Sequence, residues 1–172
     1  MSQKLIDRIR AALPDAVIEA AVTHGDAWAR VKRERYLDVV RLLKENAECM
    51  MDHFIDLTCV DWPQRPDRFE VVLHLRSSTL GHRIRIKTRA PADAPVVPSL
   101  APLYKGADWF EREAYDMYGV AFEGHPDMRR LLLWEGFEGH PLRKDYPKEK
   151  RQCPIPFRDD APAQPKPFKE RP

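Results

Sequence analysis

From residue 83 to residue 89 every odd position is Arg or Lys and the even positions are Ile84, Ile86 and Thr88. That period of two is met by a strand with one buried face, and a helix cannot satisfy it. Just upstream, Phe69, Val71, Leu73 and Leu75 alternate with Glu70, Val72, His74 and Arg76. Residues 54–60 carry apolar side chains on both faces, which predicts a central strand. The links at 63–67 and 77–81 are short and rich in turn residues, so antiparallel neighbours are expected. Residues 17–22 and 27–32 read as two more short strands around the turn Thr23-His24-Gly25-Asp26. An open sheet with one wet face needs a cover on the other. Two helical stripes supply it: Leu5, Ile6, Ile9, Ala12 and Leu13, from an N-cap at Ser2 to Pro14, and Tyr36, Val39, Val40, Leu43 and Ala47. The expected class is α+β.

A chain of 172 residues suits one domain. Residues 1–89 are expected to form its α+β core, residues 90–146 a charged helix and docking loops of the same domain, and residues 147–172 an extended Pro-rich arm. No apolar run approaches the ~20 residues a membrane helix needs. Residues 1–13 have a helical rhythm and not that of a signal or transit peptide. The expectation is a soluble chain that reaches a membrane only through a partner, with no direct span. Cys49, Cys59 and Cys153 are isolated and outside any CxxC pattern. This argues for a reducing compartment and against a disulfide framework, a zinc site or an iron–sulfur cluster. A net charge of +2 does not imply nucleic acid. The cationic row at 83–89 lacks the alternating aromatics of a stacking platform, so a solvated or partner-facing surface is the better reading.

Prolines at 91, 95 and 98 predict irregular structure over 90–98. Asp108-Trp109-Phe110-Glu111 has the order of a capping box, and Gly119 supplies a left-handed exit, so a helix is expected over 109–118. Residues 131–134 read as a short strand or a buried extended segment. After Tyr146 the prolines at 147, 154, 156, 162, 165, 167 and 172 deny the chain ladder hydrogen bonds, while Phe157 and Phe168 offer it anchors.

The densest region says one thing twice: Phe122-Glu123-Gly124-His125-Pro126 recurs as Phe137-Glu138-Gly139-His140-Pro141. Each copy is followed by cations, Arg129 and Arg130 after the first, Arg143 and Lys144 after the second. On the preceding helix Arg112 and Asp116 lie one turn apart and can pair, whereas Glu113 and Asp116 repel. Paired catalytic carboxylates are one reading, but such pairs normally face each other from separate elements. A metal held by His125 and His140 with Glu113 or Asp127 is another, without a third nitrogen or sulfur ligand at motif spacing. A solvated helix face with a structural turn is the plain alternative. Partner docking through Glu111, Arg112, Glu113, Asp116, His125, Arg129, Arg130, His140, Arg143 and Lys144 accounts for most: each turn offers an aromatic anchor, a glycine permitting close approach, and cations for partner carboxylates. No catalytic, cofactor-binding or metal-binding residue is assigned.

Glu111-Arg112-Glu113, Asp116-Met117-Tyr118, His125, Arg129 and Leu131-Leu132 keep the spacing of the pattern that marks the thirty-kilodalton subunit of proton-pumping NADH:quinone oxidoreductase, respiratory complex I. Residues 131–137 and 139–147 also resemble that family, and Met128 stands where leucine is expected. The resemblance runs from the first helix to Pro147. It implies a peripheral-arm subunit without cofactor, packed against the large quinone-site subunit and the terminal iron–sulfur subunit, with other peripheral-arm subunits nearby. The implied complex uses NADH, FMN, iron–sulfur clusters and quinone, on the cytoplasmic side of a bacterial inner membrane. Related subunits serve group 4 hydrogenases, formate hydrogenlyase-like assemblies and the photosynthetic NDH-type complex. An independent enzyme or metal-binding domain using Glu113, His125 and His140 is the competing class.

Overall fold

The computed structural model describes residues 2–150 and residue 152; the expected arm at 153–172 lies outside the described residues. Ten elements of helix and strand follow in order: α1 (Ser2–Ala12), β1 (Val17–Thr23), β2 (Asp26–Val31), α2 (Tyr36–Glu45), β3 (His53–Asp61), β4 (Phe69–Arg76), β5 (Arg83–Ala90), β6 (Val96–Pro98), α3 (Ala107–Tyr118) and β7 (Ala121–Glu123). The class is α+β. Ser2 lies within α1, and its hydroxyl donates to the Gly25 carbonyl (2.5 Å) where an N-cap was expected. Ala47 falls beyond the end of α2.

The main sheet runs β1-β2-β5-β4-β3. β3 pairs antiparallel with β4, and β4 with β5, as the short links require. β2 and β5 are parallel, which the chain between them permits because it carries α2, β3 and β4 across the sheet. β3 is an edge strand, not the central one its apolar residues predict. Phe54 packs instead on Phe110 of α3 (5.4 Å between centroids) and on Tyr104 just before it (5.8 Å), Leu57 and Cys59 are buried, and Ile55 stays exposed. The central strands are β5 and β4, and Phe69, Val71, Leu73 and Leu75 of β4 are fully buried beside Ile84 and Ile86. Leu5, Ile6 and Ile9 of α1 and Tyr36, Val39, Val40 and Leu43 of α2 join the same core.

Residues 90–98 are not wholly irregular. Val96 to Pro98 form β6, pairing parallel with β7, and Pro98 is tolerated in so short a strand. Residues 131–134 form no strand. Among the described residues, no helix is long and apolar enough to cross a membrane.

Leu73→Ala removes a large side chain from the middle of this core and should cost about 2–5 kcal/mol of unfolding free energy. Ile18→Ser sits at the bulged, exposed edge of β1 and should change stability by no more than about 0.5 kcal/mol. Urea denaturation of both variants measures the contrast.

Candidate docking platform on helix α3

α3 begins after Gly106 and ends at Gly119, whose φ of 73° is the left-handed exit expected of it. The expected capping box is absent. Glu111 does not reach back to an N-cap; its side chain is fully buried, accepting from the Ser99 hydroxyl (2.6 Å) and the Leu100 backbone N–H (2.6 Å). Burial pushes its carboxyl up to about 7, against the lowering pull of those two donors. Glu111 is therefore a clamp on the 99–100 segment.

Asp116 is equally buried but lies in a very different field. Its Oδ2 accepts the backbone N–H groups of Leu131 (3.1 Å), Leu132 (2.8 Å) and Leu133 (2.9 Å), and its Oδ1 accepts from Arg130 (2.7 Å). Burial opposes ionisation, but the Leu133 N–H, the Arg130 guanidinium and the other two N–H groups outweigh it and hold the carboxyl below the usual range. Arg130 reaches on to the carbonyls of Phe137 (3.0 Å) and Gly139 (3.3 Å). Arg112 does not pair with Asp116 across one helical turn, because both of its partners are backbone: the carbonyls of Arg129 (3.0 Å) and Arg130 (3.1 Å).

The two histidines are also turned inward. His125 Nδ1 accepts the Asp127 N–H (3.0 Å), so the ring proton sits on Nε2 and faces the Asp108 carbonyl oxygen (3.2 Å) and carboxylate (3.1 Å). His140 Nδ1–H donates to the Asp116 carbonyl (2.9 Å). Burial, and then the nearby Arg143 and Arg130, hold the His140 imidazole below its ordinary pKa, while the Asp116 carbonyl resists. Arg143 Nε donates to the Tyr118 carbonyl (2.5 Å), and its guanidinium lies 5.0 Å from the Phe69 ring. Among the described residues no three His, Cys, Asp or Glu side chains converge as a metal site would require.

Three of the ten expected docking residues remain exposed: Glu113, Arg129, which pairs with its neighbour Asp127 (2.6 Å), and Lys144. Around them stand apolar side chains that sequence reasoning did not assign to docking: Trp109 is 65% exposed, Leu132 62% and Leu142 47%. Also missed was the anchor at the far end of the loops. Asp61 at the end of β3 takes a bidentate pair from Arg68 (2.7 and 2.8 Å) and accepts the Lys144 N–H (2.7 Å), while Arg68 also reaches Asp145 (2.8 Å). Asp61 and Lys144 are too far apart in the chain for any local motif to announce them.

Asp116→Ala leaves three backbone donors and a guanidinium without their acceptor and should cost about 3–5 kcal/mol. At Gly119 a Cβ would run into the Arg143 guanidinium and the His140 ring. Gly119→Ala should therefore lose at least the roughly 1–3 kcal/mol of a left-handed non-glycine residue. The two carboxyls give opposite pH signatures. Asp116 is depressed, so its contribution is complete above the ordinary carboxylate pKa and is lost as pH falls through the folded value. Glu111 is raised: between pH 4.5 and about 7 the folded chain keeps a proton that the unfolded chain has released, so stability declines with rising pH and is level above 7. Glu111→Gln should abolish that decline, about 1.4 kcal/mol per pH unit at its steepest. Chemical denaturation from pH 4 to 8 measures it.

The chain carrying this geometry has well-defined relatives. Residues 29–152 match the family described as "Respiratory-chain NADH dehydrogenase, 30 Kd subunit". The C subunit of NADH-quinone oxidoreductase from Rhodopseudomonas palustris (strain BisB18) is 49% identical over 144 residues, which cover 84% of this chain and 72% of that one. Its counterpart from Rhodobacter capsulatus is 47% identical over 150 residues, 86% and 75% of the two chains. Among solved structures, a trypsin-resistant fragment of Nqo5 superposes with a TM-score of 0.63 at 27% identity, covering 73% of this chain and 97% of the fragment. A chain of the membrane-bound sulfane sulfur reductase, an archaeal respiratory membrane complex, gives 0.74 at 29% identity, with 86% of each chain covered. The helix that carries Glu111 and Asp116, the loops they hold and strands β3 to β5 beneath them all lie within the matched span, and this chain belongs to the family of the 30-kilodalton, or C, subunit of NADH-quinone oxidoreductase.

Proposed function

We propose that the chain is a cofactor-free peripheral-arm subunit that scaffolds the large quinone-site subunit and the terminal iron–sulfur subunit on the cytoplasmic side of a bacterial inner membrane. It would thereby support electron transfer from NADH to quinone coupled to proton translocation, taking no part in the chemistry itself. One observation carries this reading. Most charged side chains of the motif are spent internally, holding residues 124–147 on α3, and the surface that results presents Trp109, Leu132 and Leu142 among Glu113, Arg129 and Lys144. Exposed apolar anchors ringed by charge are the composition of an interface core and rim. A general acid or base needs access to a substrate, and Glu111 and Asp116 have none.

A second reading is the equivalent subunit of another membrane-bound redox complex, favoured by the likeness to the sulfane sulfur reductase chain. The higher identity to the NADH-quinone oxidoreductase sequences supports the first.

The test separates assembly from chemistry. In Trp109→Asp and Leu132→Asp the isolated chain should keep its stability to within about 0.5 kcal/mol, since both positions are exposed. Assembled complex recovered from membranes should fall by roughly thirtyfold or more, the loss of a hot-spot residue worth about 2 kcal/mol. NADH:quinone activity per surviving complex should stay within a few-fold. Normal assembly with activity lost by about a hundredfold would place these residues in the reaction and end the scaffold reading. Elemental analysis of the purified chain should find no stoichiometric iron or zinc.

A further inference from the structure

We propose that the open face of the main sheet binds an extended acidic segment of a neighbouring polypeptide, laid along β5 with a carboxylate at every second residue. This surface is distinct from the α3 platform, and the proposal stands whether or not that platform docks.

The pairing places the cationic row of β5 at the middle of the face. Arg85 lies between His74 of β4 and Trp28 of β2, and Lys87 between Val72 and Arg30. At the ends of the row the charges are met internally: Arg83 donates to Asp26 (2.7 Å), and Arg89 lies 3.0 Å and Lys87 3.7 Å from the buried Glu70. Between these ends, among the described residues, neither Arg85 nor Arg76 has a carboxylate within ion-pair distance. Asp56 stands opposite His74 on β3 as the nearest acid of that edge. The basic face extends past Arg89, but its charges there are largely met within the chain. There Arg30, Lys32, Arg33 and Arg89 line a cleft of about 240 Å³ with Glu34 and Asp67; Arg30 pairs with Glu19 (3.0 Å) and Arg33 with Glu34 (3.6 Å), while the Arg30 Nε is buried without an acceptor.

Geometry selects the partner. Side chains on one face of a strand recur every two residues, about 6.6 Å, so the row from Arg83 to Arg89 spans roughly 20 Å. An extended peptide has the same repeat: one carboxylate can meet the unpaired Arg85 in a charge-assisted hydrogen bond, and those two residues to either side can compete with Asp26 and Glu70 for Arg83 and Lys87. A small anion would engage one or two of these groups. Nucleic acid fits less well, because Trp28 is the aromatic residue of this face and its ring already lies under the Lys87 ammonium (4.9 Å). His74 reports the field: burial first, then Arg85, hold its imidazole below the ordinary pKa.

The experiment uses the full chain and a capped peptide of four Glu-Thr repeats, followed by amide and histidine chemical shifts. The expected result is saturable perturbation along β5 and β4 by about 1 mM peptide at physiological salt, with a rise in the His74 pKa. Arg85→Glu should weaken binding at least about tenfold and Arg85→Lys by no more than about threefold. Arg41→Glu, the same charge change on exposed α2, should have little effect. A block isomer with its four glutamates contiguous should bind about tenfold more weakly. The proposal is overturned by no perturbation of β5, by equal binding of the block isomer, by equal losses in Arg41→Glu and Arg85→Glu, or by tighter binding of octathymidylate.

Discussion

The buried carboxylate of Asp116 is what gives residues 124–147 a shape. It gathers three successive backbone N–H groups and the Arg130 guanidinium, much as a helix N-terminus gathers an anion. Further contacts of the loops build on that point. Arg130 extends it to the second Phe-Glu-Gly-His-Pro turn through the Phe137 and Gly139 carbonyls, and His140 returns to the Asp116 carbonyl. A segment with no strand and no helix is thus held in place by side chains satisfying backbone groups, the condition for burying irregular chain.

Glu111 and Asp116 share one helix and full burial, yet their surroundings push them in opposite directions. Glu111 has two neutral donors and no cation, so desolvation dominates. Asp116 has a guanidinium and three N–H groups, and desolvation loses. The count and charge of the donors decide ionisation here, not depth. Near neutral pH the first clamp is close to losing its proton while the second stays ionised, so the Ser99–Leu100 end of the platform is the more sensitive to pH.

The molecule then separates two kinds of charge. Around α3, Arg112, Arg130 and Arg143 are used up internally, and the surface left over sets Trp109, Leu132 and Leu142 among Glu113, Arg129 and Lys144. On the open face of the sheet Arg85 and Arg76 keep their charge available. An apolar platform suits a permanent contact, whereas a charged strip suits orientation and specificity. A subunit embedded in a larger assembly has use for both.

Much of this was legible in the chain itself. The period of two at 69–76 and 83–89, the stripes of α1 and α2 and the exit at Gly119 are local signals, and residues a few positions apart determine them. The motif at 111–147 also located the family. The roles within it were not legible. Arg112 was expected to meet a carboxylate and meets carbonyls; Glu111 was expected to cap a helix and clamps a distant strand end. Strand order failed for the same reason: β3 has the composition of a central strand and sits at an edge, its Phe54 packed on Phe110 of α3, far along the chain. Residue type and spacing determine what a side chain is able to bond. Which partner it finds depends on contacts such as Asp61 with Lys144, which exist only once sheet and loops have come together.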